Sequence, residues 1–245
     1  MTSPLLSGKA ALVTGGARRI GRAIALTLAH AGADVAITWR TSGQDATETV
    51  REIAALGPSA MDVECDVRSE ASVRKAVADV INGFGRLDLL VNSAAIFSTA
   101  SLGSLSFEEW NTVFDTNTRG PFLMAREALP HLKAVEGRII NIGSLGGFKA
   151  WTTHGHYSSS KAALHTLTQA MAKAFAPQVT VNCVAPGWID LGEEGEATAQ
   201  RFAGRTPMQR NGTAEDVAQA VLFFATGPRF ITGQILAVDG GLGLA

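Results

Sequence analysis

Short apolar, β-branched runs alternate with longer amphipathic stretches along this chain. The runs are Ala10–Val13, Val35–Trp39, Met61–Cys65, Leu87–Val91, Arg138–Ile142, Val179–Val184 and Ile235–Val238. Between them lie stretches with helical spacing, such as Ile20–His30, Asp45–Leu56 and Val73–Phe84. Leu164, Leu167, Met171 and Phe175 fall on one face of a helix, and Pro177 limits its continuation. Strands that are apolar on both faces, alternating with helices, predict a parallel sheet covered on both sides. The expected fold is α/β, a Rossmann-like doubly wound sheet of about seven strands. No linker, repeat or low-complexity segment divides the chain, so residues 1–245 read as one domain. Residues 188–211 break the rhythm. They are polar, contain glycine and follow a strand end, the place where ligands of such sheets bind, so they are expected to form a lid.

Composition narrows the function classes. The chain has 245 residues, 46% of them hydrophobic, enough for a two-sided core. Its 21 basic and 22 acidic residues leave a net charge of −1. That balance gives no general attraction to nucleic acid or to anionic membranes, so any anion site must be local. The start, MTSPLLSGKAALVTGG, lacks the pattern of a signal peptide, and no apolar run reaches the ~18–20 residues of a membrane span. A soluble, cytoplasmic protein is expected. Cys65 and Cys183 have no disulfide or zinc spacing and read as buried thiols. No metal site is expected. His154 and His156 read as exposed turn residues, and Glu193-Glu194-Gly195-Glu196 as a solvated loop.

The first strand runs into Thr14-Gly15-Gly16-Ala17-Arg18-Arg19-Ile20-Gly21, after which a helix begins. Glycines there allow a tight turn and close backbone approach, and the helix start offers unpaired N–H groups to a phosphate. The second strand ends at Trp39-Arg40-Thr41-Ser42, and Arg40 lies 19 residues after Gly21. An acidic residue near that spacing binds the ribose of NAD, whereas an arginine suits the 2′-phosphate of NADP. Ile37–Ser42 contains no Asp or Glu. Arg19 and Arg40 are therefore expected to flank one phosphate, with Thr41 and Ser42 as further donors.

Tyr157 is the only tyrosine, and Lys161 lies four residues on, on the same helical face. A phenol of pKa about 10 needs roughly 4 kcal/mol of added preference for its ionised form to work near neutral pH. A neighbouring ammonium is the kind of group that supplies it. Ser144 precedes Tyr157 by 13 residues, just after a strand, and Asn117 lies within a long helical stretch, Ser106–Leu132.

With these residues in this order, the chain resembles the short-chain dehydrogenase/reductase family over nearly its whole length. Cys65-Asp66-Val67, Asn92-Ser93-Ala94-Ala95, Pro186-Gly187, Ile231-Thr232-Gly233-Gln234 and Val238-Asp239-Gly240-Gly241 add to the match. The resemblance implies an NADP(H)-dependent oxidoreductase acting on a small carbonyl or alcohol substrate. Tyr157 would be general acid or base and Lys161 would hold the nicotinamide ribose. Ser144 would orient the substrate oxygen, and Asn117 would anchor a water beside Lys161. Gly15, Arg18, Arg19, Ile20 and Gly21 would hold phosphate, and Asp66 and Val67 would meet the adenine. Asn92, Ala94, Pro186, Gly187 and Ile189 would complete the NADPH/NADP+ contacts. Relatives of this kind are commonly homotetramers.

Three departures bear on substrate. Arg19 replaces the middle glycine of the family's turn; with Arg40 and Phe97 it is similar to the pteridine reductase branch, in which an aromatic stacks on the pterin. That branch typically has an aspartate where Ser144 stands, and a serine suits a ketone or alcohol. Leu191 stands where many relatives have a threonine that contacts nicotinamide. Phe97 reads as a substrate-stacking ring or a pocket-wall or core aromatic, and Trp188 as a substrate wall or a lid-packing residue. A pterin reductase and a non-catalytic NADP(H)-binding regulator are the alternative functions.

Overall fold

In a computed structural model, which describes residues 4–193 and 195–244, the seven apolar runs are seven parallel strands. They are β1 (Ala10–Thr14), β2 (Asp34–Trp39), β3 (Ala60–Glu64), β4 (Leu89–Asn92), β5 (Arg138–Ile142), β6 (Thr180–Pro186) and β7 (Ile235–Val238). The sheet order is β3-β2-β1-β4-β5-β6-β7. Eight α-helices intervene among the described residues: α1 (Arg19–His30), α2 (Gly43–Ala55), α3 (Glu70–Phe84), α4 (Phe107–Phe114), α5 (Gly120–Ala134), α6 (Gly155–Phe175), α7 (Glu196–Arg205) and α8 (Ala214–Thr226). None is long and apolar enough to cross a membrane.

Strand alternation divides the core in two. Ala11, Val13, Val35, Ile37 and Val91 point to one face, where α1, α2 and α8 cover them. Leu12, Ala36, Leu90, Ile139 and Val181 point to the other, against α3, α5 and α6. Both faces of the central strands are thereby removed from water, which is why these segments carry no polar alternation. Helix starts are fixed locally. Ser106 with Glu109, and Thr213 with Asp216, form reciprocal capping boxes at α4 and α8.

Two segments differ from the sequence expectation. The stretch Ser106–Leu132 is not one helix: a π-helical turn, Asp115–Arg119, separates α4 from α5. Pro121 has no N–H to return to the Asn117 carbonyl four residues back, and the buried Asn117 side chain is bound across to another loop. The polar segment 188–211 is not irregular throughout, because α7 lies within it. Its ends are closed by Asp190 N–H to Gly212 O (2.9 Å) and Gly212 N–H to Trp188 O (3.0 Å). Trp188 stacks on Phe202 at 3.8 Å and 6° between planes, so it packs within this segment.

Candidate active site

From β1 the connections run outward in both directions, to β2 and β3 on one side and through β4 to β7 on the other. The crevice beyond the carboxyl ends of β1 and β4 is the topological switch point where ligands of such sheets bind. A cleft of about 470 Å³ opens there, running from Arg40 and Asp66 past Gly15 and Ala94 to Phe97 and Tyr157.

The glycine turn is built for close approach. Gly15 has φ +65°, and a Cβ there would lie 2.9 Å from the Ala94 Cα. A Cβ on Gly21 would strike the Gly15 carbonyl. Thr14 Oγ1 accepts from the N–H groups of Ser93 and Ala94, both at 3.0 Å, and so ties β1 to the loop after β4. Thr38, which sequence reasoning missed, steadies the turn: its Oγ1 accepts from Gly15 N–H (3.3 Å) and its carbonyl from Gly16 N–H (3.1 Å).

Arg18, Arg19 and Arg40 all line the cleft. Arg19 opens α1 at φ +54°, a left-handed conformation that glycine adopts freely and arginine does not. This explains a glycine at that place in relatives. The Arg19 guanidinium donates from Nε (2.7 Å) and Nη2 (2.5 Å) to the two carboxylate oxygens of Glu193. Glu193 and Glu196 are exposed, as the solvated-loop reading expects, but Glu193 is also paired and Glu196 opens α7; Glu194 lies outside the described residues. Arg18 lies 3.6 Å from Asp45. Arg40 is 4.0 Å from Asp66, whose carboxylate is gripped by Arg68 from Nε (2.9 Å) and Nη2 (2.6 Å). Those hydrogen bonds hold the Asp66 carboxyl below the usual range. Ile20, Thr41, Ser42 and Val67 line the cleft.

Further residues support the cleft from behind. Asn92 ends β4, buried, and donates from Nδ2 to Asn141 Oδ1 (2.9 Å); Asn141 in turn donates to Thr168 Oγ1 (2.8 Å). Asn92 Oδ1 is buried without a hydrogen-bond partner among the described residues. Pro186 closes β6 in register with Val238. Gly187 owes its lack of side chain to Asp239, whose Cβ would lie 2.6 Å from an added Cβ. Ile189 packs against the core beside α1 and α8, away from the cleft wall.

At the other end stand the candidate catalytic groups. Ser144 follows β5 and caps a short 3₁₀ turn, its Oγ accepting from Gly146 N–H at 3.0 Å. Tyr157 and Lys161 project from the first turns of α6. Lys161 Nζ lies 5.8 Å from the Tyr157 ring centroid and donates to the Ile142 carbonyl at 2.8 Å. Asn117 accepts from Ile96 N–H (2.9 Å) and donates to Ile96 O (3.0 Å) and Ser160 Oγ (3.1 Å), so it holds the loop after β4 against α6.

The expected lowering of the Tyr157 pKa is not met here. Burial pushes the phenol up, and the Ser144 hydrogen bond draws it back only in part. Burial also brings the Lys161 ammonium down to about 8. The two histidines expected in exposed turns are corrected as well. His156 is fully buried with Nε2 at 2.8 Å from Ser98 Oγ, and His154 is half-buried among aromatic rings. Cys65 and Cys183 are buried free thiols, the latter pushed up to about 12 by burial.

Comparison with known proteins agrees with this geometry. A family model described as enoyl-(acyl carrier protein) reductase matches residues 15–243. The 3-oxoacyl-[acyl-carrier-protein] reductase FabG of Aquifex aeolicus is 39% identical over 97% of this chain and 98% of its own. The chain belongs to the short-chain dehydrogenase/reductase family. It is an oxidoreductase of that family. Among solved short-chain dehydrogenase/reductase-like structures, a putative short-chain alcohol dehydrogenase from Sinorhizobium meliloti 1021 superimposes with a TM-score of 0.93 at 32% identity, covering 98% of each chain. A blue fluorescent protein from a metagenomic library, solved in complex with NADPH, gives 0.91 at 37% identity, covering 97% of this chain and 98% of that one.

The cleft residues fit the dinucleotide of this family. A Cβ at Gly15 or Gly21 would intrude on the turn, and the start of α1 beside it carries no side-chain cap. Asn92 Oδ1 waits unpaired at the end of β4.

Proposed function

We propose that this short-chain dehydrogenase/reductase uses NADPH to reduce a ketone, or NADP+ to oxidise the matching alcohol, with Tyr157 carrying the proton. The observation that carries this is Tyr157 on the wall of the cleft that also holds the arginine-bearing glycine turn, with Ser144 hydrogen-bonded to it and Lys161 buried beside its ring. Bound NADPH supplies the hydride for the carbonyl carbon. Ser144 holds the carbonyl oxygen through its hydroxyl. Tyr157 donates its Oη proton to that oxygen as the C–O double bond becomes single, and takes the proton back in the reverse direction. Lys161, through its ammonium, stabilises the phenolate left behind and holds the ribose. Residues 188–211 act as the lid, and water is kept from the reacting oxygen when they close.

The preference for NADP over NAD rests on Arg40 and on the absence of an acidic residue at the end of β2. Arg40→Asp is expected to raise the Kd for NADPH at least tenfold and to narrow the preference over NADH; equal use of both cofactors by the unmodified protein would contradict it. One observation favours a second substrate class, pterins: Phe97 is 59% exposed and stands beside Tyr157. Ser144, in place of a carboxylic acid able to protonate a ring nitrogen, favours ketones. The decisive experiment follows the loss of NADPH absorbance with a panel of ketones and dihydropterins. Turnover of ketones is the expected result. Turnover of dihydropterins alone would replace it with the pterin function, and tight NADPH binding without turnover would leave a binding-only regulator.

A further inference from the structure

Four rings form a row at the end of the cleft that Phe97 and Tyr157 line. Phe97, on the loop after β4, stands edge-on to Tyr157, with centroids 5.0 Å apart and planes at 84°. His154, at the start of α6, lies 5.2 Å from Phe97 and 6.4 Å from Tyr157. Trp151 extends the row, 5.2 Å from His154. A Cβ added to Gly146 would contact both Trp151 (3.4 Å) and Ser144 Oγ (3.3 Å). The row thus starts on the Gly146 turn that Ser144 caps and ends against Tyr157, the two groups assigned to the reacting oxygen.

The row is held in place although much of it is open to solvent. Ala100 N–H donates to the Thr153 carbonyl at 2.8 Å, and Ser98 Oγ pairs with the buried His156. Ile96, next to Phe97, is clamped by Asn117 through both its N–H and its carbonyl. Phe97 therefore sits between two anchored neighbours, with its own ring 59% exposed. Core packing does not account for a phenylalanine fixed in this way. His154 is drawn below the ordinary imidazole range, first by burial and then by His156, which favours its neutral form.

Aromatic edges and faces set out in this way reward a planar ring, which gains the same edge-to-face contacts and loses almost no internal freedom on binding. A flexible aliphatic acyl chain gains apolar contact but loses rotamer freedom, and it has no ring to match the row. We propose that Phe97, His154 and Trp151 are specificity determinants that select a neutral ketone fused to a flat aromatic ring. The ring packs on the row while the carbonyl oxygen reaches Tyr157 and Ser144. This rests on the ketone reductase function proposed above.

The test uses the full-length protein and two probes: α-tetralone, a fused bicyclic aryl ketone, and ethyl acetoacetate, an aliphatic 3-oxoester. Calorimetry measures α-tetralone binding to the protein–NADP+ complex, and NADPH oxidation gives kcat/KM for both probes. The unmodified complex is expected to bind α-tetralone. Phe97→Ala and Trp151→Ala are each expected to weaken that binding at least fivefold and to lower the α-tetralone to ethyl acetoacetate ratio of kcat/KM at least tenfold. His154→Phe, which keeps a neutral ring, should retain the ratio that His154→Ala loses. Failure of the complex to bind α-tetralone would overturn the proposal, as would an unchanged ratio in all the alanine variants. Binding of α-tetralone through these rings with no turnover of either ketone would support the ring row and overturn the reductase function instead.

Discussion

Lys161 carries its ammonium into the protein interior, where only 2% of the residue remains exposed, and gives a hydrogen bond to the Ile142 carbonyl. Burial is the main reason its pKa falls from 10.5 to about 8. Between those two values the unfolded chain holds a proton that the folded chain has released, so stability rises with pH through that window. Below it both states are charged and the full cost remains, on the order of 3 kcal/mol at pH 7. Lys161→Met removes that charge along with the bond to Ile142. We expect it to gain about 1–3 kcal/mol at pH 7 in thermal melts, with the gain fading toward pH 10, while turnover is lost. A variant that melts lower at pH 7 would contradict this. His165, one helical turn on, is pushed down to about 4 by burial and by Lys161, so no second positive charge adds to the cost near neutrality.

At the scale of elements, the contact between the phosphate turn and the lid is the least expected feature. Arg19 and Glu193 are 174 residues apart, yet they form a two-pronged ion pair between the start of α1 and the segment leading to α7. A phosphate arriving at the turn competes with Glu193 for Arg19. Both side chains are about half exposed, so the pair is worth only about 0.2–1 kcal/mol and is screened by salt. Glu193→Gln is therefore expected to tighten NADPH binding about twofold to fivefold at low salt, with the gain vanishing at high salt, as read by fluorescence titration. Looser binding in that variant would show that the pair supports the site instead. Such a contact was not legible in the sequence, because nothing local links an acidic loop to a glycine turn. The same holds for Thr38, Asn141 and His156, whose partners lie on other elements. Asn141 in particular hides within an apolar strand run. The strands, Ser144, Tyr157 and Lys161 were legible because period, spacing and order are carried by the chain itself. The π turn was not, since one of its two determinants, the side-chain bonding of Asn117, depends on Ile96 and Ser160 from other parts of the chain.

For the whole molecule, the doubly wound sheet puts the glycine turn after β1 and Tyr157 of α6 on one cleft at the switch point. The other surfaces leave apolar groups open: Phe107 on α4 is 80% exposed, Phe122 on α5 is 40% exposed, and Leu236 lies on the unpaired edge strand β7. Sheet edges and apolar helix faces of this kind are places where copies of a chain associate. We propose the homotetramer that the family resemblance implies, for which sedimentation should give about four times the 25.6 kDa chain mass. A monomer at micromolar concentration would contradict it. The molecule's central claim, however, is chemical: one buried phenol exchanges the proton. Tyr157→Phe keeps the ring that packs against Phe97 and removes only the hydroxyl. Measured side by side with the unmodified protein on a ketone it reduces, the variant is predicted to bind NADPH with the same affinity and to lose kcat by at least about a hundredfold. Retention of kcat with intact NADPH binding would contradict the assignment of Tyr157.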